Sequence, residues 1–293
     1  MIEMGLLQRI DPTGATDRLY VLSNRPVGAN RLNGKEAMQT VAILNHKGGS
    51  GKTTTAVNLA AALGELGRRV LLLDLDPQAS ASRWLAIDDK TGGLYDVLVK
   101  RTALEPHIRQ TTVAGVDLVP ARQDLAAAEL EARRKPGAEL VLRNALSHLP
   151  PRWDTVLLDC PPSLGLLTVN ALAAADEVLV PVEAHILALE GLADLLGTLG
   201  LVREALNPQL RLSAVLACRV SRTRHTRDVV ELLRQQFPDT MLTTVVRESA
   251  RLAEAPAFKQ PILTYASDSP GAVDYRAVAA EWLSRLPQLE AVA

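Results

Sequence analysis

Short apolar runs alternate with longer segments of helical spacing from residue 41 almost to the end of the chain. Residues 41–44 and 70–73 are unbroken apolar runs, the mark of strands buried on both faces. Residues 116–119, 155–158, 178–180, 212–216 and 241–246 read the same way. Between them the spacing predicts helices over 54–66, 122–134, 138–149, 189–206, 228–237 and 273–286. Gly67 can close the first of these at its C-terminus, and Pro136-Gly137 separates the second from the third. Strand–helix alternation of this kind predicts an α/β fold, a doubly wound and mainly parallel twisted sheet with helices on both faces. Residues 1–38 lack the periodicity and are broken by Pro12, Gly14, Pro26, Gly28 and Gly34. They read as a loosely ordered N-terminal extension. Residues 39–293 carry no internal repeat and no linker and read as a single domain.

Composition narrows the classes. A chain of 293 residues with 47% apolar and 22% charged residues can bury a substantial core as a globular protein. Its formal net charge of −1 leaves any nucleic-acid contact to a local patch, and aromatics at 3% argue against base stacking. The two cysteines, Cys160 and Cys218, suit a reducing compartment and offer no metal-ligand spacing. No secretory leader and no bilayer-spanning run is visible, so a cytoplasmic protein is expected.

The chemistry is concentrated after the first strand, in Asn45-His46-Lys47-Gly48-Gly49-Ser50-Gly51-Lys52-Thr53-Thr54. A strand, a glycine loop and a helix N-terminus in that order build a phosphate cradle. Main-chain N–H groups point inward and the helix dipole adds positive charge. Lys52 supplies a full charge to the terminal phosphates, and the Thr53 hydroxyl suits magnesium. The pattern G-x-x-x-x-G-K-[ST] is incomplete, because His46 stands where its first glycine belongs. An additional lysine, Lys47, precedes Gly48-Gly49 instead.

Two acidic strand ends accompany the loop. Asp74-Leu75-Asp76-Pro77-Gln78 follows the second strand, and carboxyl ends of strands are where doubly wound sheets bind ligands. Val156-Leu157-Leu158-Asp159 is an apolar strand ending in one acid, suited to holding magnesium against β- and γ-phosphates. Cys160-Pro161-Pro162-Ser163-Leu164-Gly165 follows, a turn stiffened by consecutive prolines. Cys160 itself reads as a small buried residue and not a nucleophile.

Lys47-Gly48-Gly49-Ser50-Gly51-Lys52-Thr53-Thr54 resembles the deviant Walker A loop of the ParA/MinD branch of P-loop ATPases. The resemblance implies ATP and Mg2+ as cofactors and a nucleotide site spanning Lys47, Gly48, Gly49, Ser50, Gly51, Lys52, Thr53 and Thr54. It implies that Lys47 is the signature lysine reaching the phosphates of the other subunit, so that a homodimer closes around two ATP molecules. By the same resemblance the segment at Asp76 is switch I, and its acid orients the attacking water. Cys160–Gly165 is similar to switch II. The implied catalytic set is Lys47, Lys52 and Asp76, with Thr53, Asp76 and Asp159 around the metal and Asp74 as a helper.

The similarity continues through Leu94-Tyr95-Asp96-Val97-Leu98, Val119-Pro120-Ala121 with Asp124-Leu125-Ala126, Pro181-Val182-Glu183 and Ala188-Leu189-Glu190-Gly191, covering roughly residues 40 to 285. Arg247-Glu248-Ser249-Ala250-Arg251-Leu252-Ala253-Glu254-Ala255-Pro256 resembles the chromosome and plasmid partition members most closely. Between Cys218 and Arg251 stand seven arginines against four acids. Arg219 and Arg234 read as solvated surface. The resemblance implies DNA contacts at Arg222, Arg224 and Arg227, placed before a helix, and at Arg247 and Arg251. Such a surface grips the phosphate backbone of double-stranded DNA without reading sequence. A ParB-type partner that accelerates hydrolysis and a nucleoid-associated location follow from the same resemblance. Departures are Val220-Ser221, where many partition ATPases carry an acid near the adenine, and Ser50 in place of valine.

A MinD-like, membrane-associated regulator of the division site is the alternative. It needs a basic amphipathic C-terminal helix. Tyr275, Val278, Trp282 and Leu286 form an apolar face, but Asp274 and Glu281 balance Arg276 and Arg285, so a core-packing helix and no membrane contact are expected. An iron–sulfur relative lacks paired cysteine spacing, and a DNA-binding module without catalysis is opposed by Asp76 and Asp159. The histidines, His185 and His225 included, are expected at the surface.

Overall fold

The computed structural model describes residues 38–87, 93–185 and 188–286. Apart from Met38, the expected N-terminal extension lies outside the described residues. In chain order the elements are β1 (Gln39–Ile43), α1 (Lys52–Glu65), β2 (Val70–Asp74), α2 (Ser80–Trp84), α3 (Leu94–Lys100), β3 (Arg109–Gln110), β4 (Val116–Val119), α4 (Leu125–Ala132) and α5 (Val141–Ser147). There follow β5 (Thr155–Asp159), α6 (Leu166–Ala174), β6 (Glu177–Glu183), α7 (Ala188–Ala205), β7 (Arg211–Cys218), α8 (Arg224–Gln236), α9 (Ala250–Glu254), α10 (Ile262–Tyr265) and α11 (Pro270–Arg285).

The strands form one seven-stranded sheet in the order β3-β4-β2-β5-β1-β6-β7. Every pairing is parallel except β3 with β4, at one edge. Alternate side chains of each strand feed opposite cores. Ala42, Leu71, Leu73, Val156, Leu158, Val178 and Val180 pack with α3 to α8, whereas Val41, Ile43, Leu72, Leu157 and Leu179 pack with α1, α2 and α11. Both faces are therefore dry, which is why these strands read as unbroken apolar runs. Each fully buried Leu, Ile or Val contributes roughly 1.5–3 kcal/mol of transfer free energy.

Register sets the site. Ile43 pairs with Asp159, and Asp74 pairs with the same Asp159 from the other side. Two carboxylates thus stand side by side at the carboxyl edge, next to the loop that leaves β1.

Three expectations change. Residues 241–246 do not form a strand: an isolated bridge between Val215 and Met241 and main-chain hydrogen bonds from Leu242 N–H to the Val215 carbonyl (2.9 Å) and from Val246 N–H to the Ala217 carbonyl (2.8 Å) join this segment to β7, and a second bridge pairs Val220 with Arg247 just beyond both. The N–H groups of Thr243 and Thr244 donate to the Glu281 carboxylate on α11, at 2.7 and 2.8 Å, so the ladder cannot run through them. The helix expected from residue 228 begins at Arg224, because the Thr223 hydroxyl caps it by accepting from the Thr226 N–H. The histidines are not all on the surface: His46 and His107 are half-buried.

The C-terminal helix packs as expected. Tyr275, Val278 and Trp282 of α11 are buried against α1, and the Tyr275 hydroxyl hydrogen-bonds that of Thr55 at 3.2 Å. Among the described residues no helix is long and apolar enough to cross a membrane.

Candidate active site

The loop from Asn45 to Gly51 joins β1 to α1. Gly49 (φ 79°) and Gly51 (φ 95°) adopt the left-handed region, which a side chain resists, and Gly51 is the residue preceding the helix. No side chain caps the first turn of α1, so its N–H groups remain available to an anion. The Asn45 side chain fixes the loop's start, donating to the Pro181 carbonyl at 2.7 Å and accepting from the Lys47 N–H at 3.0 Å.

Both lysines lie on this loop, in different surroundings. Lys52 is 7% exposed, and its Nζ donates to the Lys47 carbonyl oxygen at 3.1 Å. Burial lowers its pKa, opposed by the charges of Asp159 and Asp76. Lys47 is more open, and its Nζ lies 3.0 Å from Glu183 Oε2 at the end of β6. The second Glu183 oxygen pairs with Arg219, just past β7, at 3.0 Å.

Across the edge stand the acids. Asp159 is fully buried, and neither of its oxygens accepts a hydrogen bond of ordinary geometry. Burial raises its pKa well above the usual carboxylate range, with Asp74 adding to the rise and the Thr53 hydroxyl near enough to offset part of it. A buried carboxylate without donors suits a divalent cation, so Asp159 together with Thr53 fits magnesium. Asp74 is also fully buried but well partnered, accepting from Ser82 Oγ (2.7 Å), Ser82 N–H (2.8 Å) and Asp76 N–H (3.2 Å). Burial pushes its pKa up to about 6. The Ser82 hydroxyl in turn accepts from the Ala121 N–H at 2.9 Å, tying this turn to the end of β4. Asp76 is half-buried, and its Oδ1 accepts from the Gln78 N–H at 2.9 Å.

The proline turn after β5 is pinned at both ends. The Cys160 N–H donates to the Ile43 carbonyl at 3.2 Å, and the Glu129 carboxylate accepts from the Leu166 N–H at the start of α6 at 2.6 Å. Burial pushes the Cys160 thiol far up and the Cys218 thiol up to about 12, so neither is a thiolate nucleophile.

The arginines divide. Arg222, Arg224 and Arg227 are exposed, Arg222 before α8 and the other two within its first turns. Arg224 is 90% exposed, with Asp228 at 3.9 Å. Arg247 is engaged: its guanidinium binds both oxygens of the buried Asp274 on α11 at 2.7–3.0 Å, and its N–H donates to the same carboxylate. Arg251 pairs with Glu254 at 3.1 Å.

The structure thus gathers Lys47, Lys52, Thr53, Asp76 and Asp159 at one edge. Sequence reasoning named Glu183 only within the Pro181-Val182-Glu183 similarity and gave it no role, and it did not single out Ser82; Arg219 is exposed as expected but also pairs with Glu183. The usable signal was the acid three residues past the apolar run 178–180, one more carboxylate at the end of a strand.

The AAA domain family model matches residues 38–212. The chain is 42% identical over 248 residues to the chromosome partitioning protein ParA of Myxococcus xanthus, covering 84% of this chain and 88% of that one. It is 45% identical to the chromosome-partitioning ATPase Soj of Thermus thermophilus, covering 86% and 98%. Among solved structures it resembles the cobyrinic acid a,c-diamide synthase of Mycobacterium smegmatis with a bound ATP analogue and magnesium. That match has a TM-score of 0.74 and 36% identity, over 84% of this chain and 95% of the other.

Proposed function

The chain belongs to the ParA/Soj family of P-loop ATPases, and on that premise we propose that its ATP-bound form is a homodimer that holds duplex DNA for partition. The observation that carries this reading is the pair of lysines on one glycine loop beside the unpartnered Asp159. Lys52, the uncapped N–H groups of the first turn of α1 and the Thr53 hydroxyl cradle the β- and γ-phosphates of ATP. Magnesium neutralises phosphate charge when bound, held by Thr53 and Asp159 with Asp76 nearby. Asp76 orients the attacking water. Lys47 reaches from one subunit to the phosphates in the other, so that dimer formation depends on the triphosphate.

Dimerisation joins two arginine surfaces into one DNA-binding face, formed by Arg222, Arg224, Arg227 and Arg251 of each chain. With no aromatic platform among them, these side chains grip phosphate without reading bases. Hydrolysis dissolves the dimer and releases the DNA, a population shift governed by the nucleotide. A ParB-type protein bound to the cargo is the expected accelerator, and the nucleoid is the expected location. The buried apolar face of α11 disfavours the membrane-regulator reading. Retention on random-sequence duplex, measured at several salt concentrations with ATP, ADP or no nucleotide, tests the proposal. Tight, strongly salt-dependent retention confined to ATP is expected. Equal retention in all three states would refute it.

A further inference from the structure

Lys47 is held on its own subunit at three points. Its N–H donates to Asn45 Oδ1 at 3.0 Å, its carbonyl accepts from Lys52, and its ammonium sits on Glu183 at 3.0 Å. Glu183 is the last residue of β6, two residues beyond the carbonyl of Pro181 that anchors Asn45. The end of β6 and the phosphate loop are therefore laced together. Arg219, at φ 54° beyond β7, presents a second cation to the same carboxylate. The Lys47 hydrogen bond holds the Glu183 carboxyl below its usual range, with the charges of Lys47, Arg219 and His185 acting in the same direction against burial.

The geometry points to Glu183 as a positioning residue for Lys47: it keeps the ammonium on its own chain until a triphosphate across the dimer interface displaces it, and Arg219 then stays to neutralise the carboxylate. This inference rests on the proposal that Lys47 acts on the opposite subunit's nucleotide. Side-chain exposures of 39% for Lys47 and 23% for Glu183 make the pair modest, a factor of about 1.5 to 5 per subunit. A triphosphate, with more charge and a γ-phosphoryl group, outcompetes one carboxylate, and a diphosphate does so less readily. Without Arg219, Lys47's departure would leave Glu183, whose side chain is 23% exposed, without either of its ion-pair partners. With it, release leaves an ion pair behind, which keeps the latch easy to open.

The test is the dimer dissociation constant, from sedimentation velocity with magnesium and a non-hydrolysable ATP analogue. Glu183→Gln should tighten the dimer by about 1.5- to 5-fold per subunit, squared for two subunits, and Glu183→Asp should stay near wild type. Arg219→Ala should loosen the dimer in the wild-type background and change nothing in the Glu183→Gln background. The gap between wild type and Glu183→Gln should narrow as salt rises. A Glu183→Gln chain that dimerises no better than a dimerising wild type overturns the latch alone. A wild type that stays single with the analogue overturns the proposed function, and the latch with it.

Discussion

The Lys52 ammonium donates to the main-chain oxygen of Lys47, 3.1 Å away. The lysine of the pocket thus holds the residue that bears the lysine proposed for the other pocket. On the proposed function, phosphates entering the cradle would draw Lys52 off that carbonyl and loosen the loop around Lys47, coupling the filling of one site to the reach toward the next.

Lys52→Ala removes a charge-assisted hydrogen bond to phosphate of about 1.5–3 kcal/mol, so ATP affinity should fall about 10- to 150-fold. Titration of a fluorescent ATP analogue reads this directly. The fold should stay intact, because among the described residues Lys52 Nζ hydrogen-bonds to its own loop alone.

Asp76→Ala should separate binding from turnover. The Asp76 carboxylate accepts from the Gln78 N–H within its own turn, so ATP and duplex should still bind. Phosphate release should drop by about 10²-fold or more, the usual weight of an acid–base or water-orienting group.

Asp74 carries a pH signature. Its folded-state pKa of about 6 lies above the ordinary 3.8, so between those values the folded chain keeps a proton that the unfolded chain has lost. Stability from this group is therefore greatest at low pH and is lost as pH rises from about 4 to 6, by at most about 3 kcal/mol. Asp74→Asn should flatten that slope in nucleotide-free protein, read as urea midpoints across the window; Asp159, raised in the same direction, leaves a residual slope.

The phosphate loop, β2 and β5 were legible because their runs are buried on both faces and end in glycine or acid. Residues 241–246 misled because Met241, Leu242 and Val246 are buried like strand residues. Yet the Thr243 and Thr244 N–H groups between them go to Glu281, 38 and 37 residues away, which no local pattern announces. The start of α8 was hidden by its charge: Arg224, His225 and Arg227 carry no apolar period, and the cap at Thr223 was the usable signal. Glu183 pairs with Lys47 across 136 residues, a relationship that exists only once β6 lies beside β1.

The arginines should separate into two kinds. Replacing Arg222, Arg224 and Arg227 together by alanine should weaken duplex binding, with nucleotide affinity unchanged. The salt slope should shrink by about 0.9 for each phosphate no longer neutralised. Arg247→Ala should instead cost roughly 1–3 kcal/mol of stability, because the buried Asp274 is left without its guanidinium partner. Thermal melts beside filter-binding curves distinguish the two effects.

The most direct test of the account is the solution mass of the full chain with magnesium and a non-hydrolysable ATP analogue, beside ADP and beside Lys47→Ala. Two chains per particle with the analogue, and one chain with ADP or with Lys47→Ala, is the expected result. A wild type that stays single with the analogue, or a Lys47→Ala chain that pairs as well as wild type, would contradict it.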